Sequence, residues 1–358
     1  MTLDPSDPRD PRLGRRDFLQ VSAAGALLCT IGGERVVVGR RGDAAKADAA
    51  AARVARPRAA GPTEQQTFAT PEPQPGGRKV EYWIQATTTR WTIVPSRRDD
   101  WHDVAVPGNS TFRATVYQLM TDGFAAPLGP PAIPGPTLHA EVGDTIVVHL
   151  RNALTDLKQA ITIHPHGVKY NPEYDGVYIG RYTRAGGFVA PGEEFTYTWE
   201  CVPESVGAWP YHDHGPNHTL NTMRGMFGAL IVRPKGEDVP AVEHVLFMHQ
   251  LQPPVTGLKR AYQCFNGRAY AGNTPIITAR VGQEVALYAI GMDNNFHDFH
   301  IHGHRWRDAS GAFVDTPGVG PNETAAVRFV EDNPGRWLYH CHVFSHQDAG
   351  MAGWYLVE

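Results

Sequence analysis

The chain has little cysteine, no long apolar run and no strong charge of either sign, and each shortage removes a class of function. No stretch is long and apolar enough to span a bilayer. The formal net charge is only −4, so there is no basic footprint for nucleic acid. Charged residues are also sparse, at 20% against 42% hydrophobic, which supplies real cores and excludes a wholly disordered chain. Four cysteines stand beside seventeen histidines, and that imbalance points toward metal. With 37 glycines and 29 prolines in 358 residues, turn-rich β structure is favoured over helical bundles.

The N-terminus reads as an address. Arg15 and Arg16, followed by Phe18-Leu19 and a modest apolar stretch from Val21 to Gly33, resemble a twin-arginine export signal. Export to the cell envelope or outside the cell is expected, with residues 1–47 as the signal; Ala45-Lys46-Ala47 is one candidate cleavage site among several Ala-rich ones. Residues 48–78 lack apolar periodicity and are expected to form a flexible leader.

From residue 79 the pattern changes to short alternating runs broken by turn residues. Thr145–Leu150, Glu194–Trp199, Ala229–Arg233, Glu284–Ile290 and Ala326–Val330 read as strands. The fold class is all-β, with two Greek-key β-sandwich domains over 79–235 and 236–358. An internal repeat supports two copies. Pro136-Thr-Leu-His-Ala-Glu-Val-Gly-Asp recurs in kind as Pro275-Ile-Ile-Thr-Ala-Arg-Val-Gly-Gln, and Gly207-Ala-Trp-Pro-Tyr-His-Asp-His as Gly335-Arg-Trp-Leu-Tyr-His-Cys-His.

Histidine spacing carries the chemistry. Chance at this composition gives about 0.8 His-x-His pairs. The sequence has five: 164/166, 212/214, 300/302, 302/304 and 340/342. On a strand, residues i and i+2 share a face, so each pair presents two imidazoles side by side, and imidazole suits copper, zinc and iron. His164, His166, His212, His214, His300, His302, His340 and His342 are too many for one ion. Cys341 points to the opposite face of its strand. With His297, His346 and the more distant Met351 it makes a His2Cys set with a thioether, the ligand chemistry of a blue-copper centre. The remaining histidines (102, 139, 149, 218, 244, 249 and 304) are read as non-ligands, with His304 the one exception to test, as a ligand or as a support to the ligands.

These motifs resemble the multicopper oxidases. That family carries His-x-His-Gly, His-x-His, His-x-x-His-x-His and His-Cys-His-x3-His-x4-Met. Here they stand, in order, as His164-Pro-His166-Gly167, His212-Asp-His214, His297-Asp-Phe-His300-Ile-His302, and His340-Cys341-His342 through His346 to Met351. The resemblance implies cupredoxin-like domains and four coppers per chain. His297, Cys341, His346 and Met351 would bind type 1 copper, and His164 with His300 type 2. His166, His212, His214, His302, His340 and His342 would bind the type 3 pair. Two domains make the chain similar to the small laccases of bacteria. The second motif reads His-Asp-His, so domain 1 lacks the type 1 thiolate. The ligand pairs are divided between domains, and the resemblance implies a head-to-tail homotrimer with each cluster between subunits.

The implied activity is one-electron oxidation of a phenolic or similar small reductant, coupled to reduction of dioxygen to water. Asp175 is the candidate proton donor near type 2 copper, with Asp315 a weaker one, and Tyr170 resembles a redox-active tyrosine beside the cluster. The alternative is a ferrous or cuprous oxidase. Asp298 and Asp348 leave the ferrous reading open, and the absence of a methionine cluster in the seven methionines counts against the cuprous one. Nitrite reductase would need one type 2 ion and a blue copper in domain 1. A simple blue-copper carrier would leave eight imidazoles unexplained. Cys201 and Cys264 could form a disulfide or remain buried thiols.

Overall fold

A computed structural model describes residues 27–31, 34–40, 42–57 and 67–358. The expected strands all form. In domain 1, one sheet takes the order Glu194–Glu200, Thr145–Asn152, Lys79–Thr92, Thr111–Met120. The facing sheet takes Leu138–Glu141, Phe227–Arg233, Gly207–His212, His164–Pro165. Domain 2 repeats the plan. Thr324–Val330, Glu284–Gly291, Val242–Leu251 and Tyr262–Phe265 make one sheet. Ile277–Ala279, Ala352–Val357, Gly335–Cys341, His297–Ile301 and Gly318–Val319 make the other. Neighbours that are distant in sequence give each sandwich its Greek-key character.

Alternation builds the cores. Ile146, Val148 and Leu150 face inward with Tyr197 and Trp199 in domain 1. Val285, Leu287 and Ala289 do the same with Phe299 and Tyr339 in domain 2. A third apolar cluster joins the domains, with Trp91, Phe112 and Phe227 packed among Phe247, Tyr262 and Ile290. The two sandwiches therefore share buried surface rather than hanging on a linker. Cys201 lies in the domain 1 core and Cys264 in the joining cluster, and both are free thiols. The disulfide alternative is not what forms.

The described residues between 27 and 51 span the end of the expected signal and the start of the expected structureless leader, and they form regular elements. Leu27–Ile31 pairs with Glu34–Val38, and Asp43–Ala51 is a helix. Ala44, Ala47 and Ala51 recur at helical spacing and pack with Leu27, Cys29 and Ile31 on Leu220, Met223 and Val255. Asp48 forms a two-oxygen ion pair with the buried Arg224 guanidinium at 2.7 and 2.8 Å. Alanine is the best helix former, so a stretch that reads as compositional bias also carries a helix face. Arg15 and Arg16 lie outside the described residues. Among the described residues, no helix is long and apolar enough to cross a membrane.

Candidate metal centres

Strand pairing assembles the histidines. His164 is the cross-strand partner of His212, and His300 of His340. Directly opposed residues in an antiparallel pair share a face, so each domain gathers two His-x-His motifs on one patch. Ligating atoms of His164, His166 and His212 lie within 4.8 Å of one another, as do those of His300, His302 and His340. His214 joins the first patch, 5.4 Å from His164 between ring centres, and His342 the second, 5.6 Å from His300. Among the described residues, no ligand group joins the two patches within one chain.

Hydrogen bonding sets the tautomers. The Nδ1 atoms of His164, His212, His300 and His340 face the backbone carbonyls of Asp175, Asp213, Asp315 and Cys341 at 2.6–2.9 Å. A carbonyl only accepts, so each Nδ1 carries the proton and each Nε2 keeps its lone pair for the patch. The Nε2 atoms of His166 and His212 stand 3.1 Å apart, as do those of His302 and His340. Nδ1 of His214 is buried without a hydrogen-bond partner. Burial, helped by neighbouring imidazoles, holds His166 at about 4, His214 at about 4 and His340 at about 4. Burial lowers His212 further, to about 3. Converging, neutral imidazoles with free lone pairs are a donor set that fits copper at neutral pH.

The third group is His297, Cys341 and His346. Cys341 Sγ lies 3.9 Å from His297 Nδ1 and 3.7 Å from His346 Nδ1. Met351 is fully buried beside them. Its N–H donates to the His346 carbonyl, and its own carbonyl accepts from Cys341 N–H, each at 3.1 Å. Burial alone would raise the Cys341 thiol, but its contacts with His297 and His346 outweigh that and bring it down to about 6. By contrast, burial pushes Cys29 up to about 11 and Cys201 up to about 12, and it raises Cys264 strongly. Only Cys341 has the electrostatics of a thiolate ligand.

The predicted acids sit differently from one another. Asp175 approaches His164 Nδ1 with its carboxylate as well, at 3.3 Å. The Tyr170 ring lies 5.8 Å from His164 between centres, and burial followed by the Asp175 carboxylate raises its phenol. Asp315 meets His300 through its backbone carbonyl.

Two residues escaped sequence reasoning. Asp293 is buried, and its Oδ1 lies 3.1 Å from His297 Nε2. It lines a cavity of about 180 Å³ between the domains together with His218, Met223 and Met292. An i, i+4 carboxylate before a ligand histidine was the available signal. Trp101, on a loop of domain 1, lies 6.2 Å from His340 between ring centres, a contact with no local sequence signal.

Residues 131–237 and 247–358 match two sequence models described as multicopper oxidase. The chain belongs to the multicopper oxidase family. It is 34% identical over 250 residues to the "Probable nitrite reductase-hydroxylamine oxidoreductase fusion protein" of Kuenenia stuttgartiensis, covering 64% of this chain and 28% of that one. It is 28% identical over 300 residues to human "Ferroxidase HEPHL1", covering 70% of this chain and 25% of the relative. The chain thus spans about a quarter of the length of these relatives. Among solved structures it resembles the blue copper oxidase from Nitrosomonas europaea, with a TM-score of 0.58 and 26% identity over 78% of this chain and 86% of that one. The chain is therefore a copper oxidoreductase of cupredoxin-like fold.

Proposed function

We propose that this multicopper oxidase is laccase-like, oxidising small phenolic or similar reductants one electron at a time and passing the electrons to dioxygen. The observation that carries the reading is one thiolate-centred trio joined through its own chain to two four-imidazole patches. Its donor atoms suit four coppers per chain: type 1 at His297, Cys341, His346 and Met351, type 2 at His164 and His300, and a type 3 pair at the other six histidines. Bound there, copper supplies one-electron oxidation of the reductant and four-electron reduction of dioxygen to two waters.

The chain's residues do the rest. Cys341 sits between His340 and His342 in sequence, so a few covalent bonds link the trio to the domain 2 patch. Phe296 and Phe344, 73% and 69% exposed, flank the trio and offer an apolar landing for an aromatic reductant. Asp175 holds the His164 imidazole and is placed to deliver a proton beside it. The domain 2 patch leaves His302 and His342 exposed. That openness, with the division of ligands, supports a homotrimer in which a partner's domain 1 closes each cluster. The Arg15-Arg16 signal supports export.

A metallo-oxidase is the second reading, and one observation favours it. Asp293 bridges His297 to a cavity that also holds His218, Met223 and Met292, so methionines scattered in sequence meet beside the trio. A relative named as a ferroxidase agrees with it. Nitrite reduction is disfavoured, because a single type 2 ion leaves most of the eight imidazoles idle.

Visible and EPR spectra of the copper-loaded chain, with copper counted per chain, test the first reading. A thiolate band, a near-UV shoulder from a bridged pair, four coppers per chain and a trimeric mass are expected. A blue band at one copper per chain in a trimer overturns it. Relative rates on a dimethoxyphenol, Fe(II) and Cu(I) separate laccase from metallo-oxidase.

A further inference from the structure

The domains meet at more than their shared apolar cluster. A cleft of about 320 Å³ opens across the junction, with Pro107 to Asn109 of domain 1 on one side and the segment 257–260 with Tyr262 of domain 2 on the other. No histidine and no carboxylate lines it. Its charged residues are Lys259 and Arg260, and both are cations. Lys259 is exposed, while Arg260 is half-buried and its Nη2 is buried without a hydrogen-bond partner. The guanidinium carbon lies 4.8 Å from the centre of the Tyr262 ring and 5.9 Å from that of Tyr270. Those rings steady the cation but give its buried N–H groups no oxygen to meet. A buried donor left unpaired is costly, and more so on a charged group.

Both sides of the cleft are held in place. Val106 and Ser110, which flank the domain 1 loop, are buried. Asn109 closes that loop with two bonds to the Thr111 backbone, accepting at 3.0 Å and donating at 3.2 Å. On the domain 2 side the short helix Pro253–Thr256 ends at Gly257, whose φ of +73° favours glycine. The turn places Leu258 in the cluster that joins the domains, as it does Tyr262. The walls beside the two cations are therefore apolar.

We propose that this cleft binds a small carboxylate with a flat apolar body. Its acid group meets Lys259 and Arg260, and its body lies against Leu258, Tyr262 and Pro107. The charge follows from two cations with no acid between them, since an anion supplies the acceptor that Arg260 Nη2 lacks. The acid group follows from the planar guanidinium, which matches a carboxylate with two parallel N–H bonds. The body follows from the space, which a bare inorganic oxyanion leaves largely empty, and from the apolar walls. An occupant bridges both domains and tightens their junction. It also sits behind the loop between His346 and Met351. Gln263 N–H, next to Tyr262 in sequence, donates to the Ala349 carbonyl at 3.1 Å, and Tyr270 N–H to the Gly350 carbonyl at 2.6 Å. The inference does not depend on which reductant the protein oxidises.

The test is calorimetric titration of the copper-loaded, full-length chain with benzoate, with benzyl alcohol as the uncharged body and sulfate as the charge without a body. Benzoate should bind saturably, one per chain, and raise Tm with concentration. Arg260→Gln should weaken it by about tenfold or more, and Lys259→Gln, on an exposed side chain, by less, with the blue band of both variants unchanged. Hydrogen exchange should slow on binding around residues 106–110 and 257–263. No saturable binding, equal affinity for benzyl alcohol, or full affinity in both variants overturns the site. So does protection that maps to the histidine patches instead. Sulfate binding that depends on Arg260 while benzoate fails to bind overturns the flat-bodied carboxylate as its ligand.

Discussion

The two domains carry the same ligand loop with different chemistry at its centre. In domain 2 it runs Tyr339-His340-Cys341-His342, then His346 and Met351. In domain 1 it runs Tyr211-His212-Asp213-His214, then His218 and Met223, at identical spacing. The scaffolds match in detail. Tyr211 and Tyr339 hydroxyls donate to the carbonyls of Pro136 and Pro275 at 2.5 and 2.6 Å. Trp209 and Trp337 indoles donate to carbonyls four residues earlier, at 2.8 and 2.9 Å. Where domain 2 has His297, three residues before its first patch histidine, domain 1 has Ile161. Where domain 2 has the Cys341 thiol, domain 1 has the fully buried Asp213 carboxylate, accepting from Thr162 N–H, Gly215 N–H and Asn221 Nδ2 at 2.8, 3.2 and 2.9 Å. One frame holds a soft ligand ready for metal, and its copy holds a carboxylate whose acceptors are already engaged. The strands place the imidazoles; the residue between them decides whether a second centre exists behind.

The largest test of that contrast removes the thiolate. Cys341→Ser should erase the blue band, lower the copper count by one per chain and bring turnover to background, because no other cysteine has a depressed thiol. A persistent blue band would place the thiolate elsewhere. Removing the counterpart should instead damage the fold. Asp213→Ala leaves three buried donors without an acceptor, at a cost of about 1–3 kcal/mol for each such group. Thermal unfolding of the copper-free chain should show a clear drop in Tm, and a Tm equal to that of the parent would mean the carboxylate network is idle.

A smaller effect separates the domains by pH. In the copper-free protein, His166, His212 and His214 are held well below the ordinary imidazole value of about 6.5, and in domain 2 His340 is held down most clearly. His249, buried where its Nε2 accepts the Gly267 N–H, is held at about 4 as well. The unfolded chain therefore takes up these protons first as pH falls. The share of stability that these histidines set is fully present above about 6.5 and declines as pH drops toward about 4. Copper should flatten that slope, since a bound imidazole cannot protonate at the same atom. Denaturant titrations of the copper-free and loaded chains across this range check it, and parallel curves would count against ligand burial as the cause.

What was legible from sequence follows the range of the physics. Strand alternation and His-x-His spacing are local, so the strands and the three ligand groups could be read directly. Asp293, four positions before the motif begins, makes its contact with His297 through the turn between strands, and Met223 with Met292 meet only when two domains dock. Trp101 reaches His340 across 239 positions of sequence because Gly272, where a Cβ would meet the Asp100 carboxylate, admits the loop. The Ala44, Ala47, Ala51 face was hidden in an alanine-rich stretch, where composition and periodicity look alike. The matching loop in domain 1 was visible in the spacing of His218 and Met223, but a buried aspartate at its centre draws no attention until its three donors are seen.

The finest comparison is between the two acids that orient the type 2 candidates. His164 and His300 each present Nδ1 to an aspartate backbone carbonyl, so a carboxylate is not needed for orientation in either domain. Only Asp175 adds its side chain to that contact and also perturbs Tyr170. Asp315 turns its carboxylate to the Thr316 hydroxyl, at 3.2 Å. If proton delivery needs a carboxylate at the cluster, it comes from domain 1. Asp175→Asn should then lower turnover toward the 10²-fold end of the usual range for proton-transfer groups, about 10²–10⁴, with all copper retained and an altered pH profile. Asp315→Asn should leave rate and profile nearly unchanged. Equal losses from the two substitutions would mean that both acids serve only the backbone geometry around their histidines, and that the proton enters by another route.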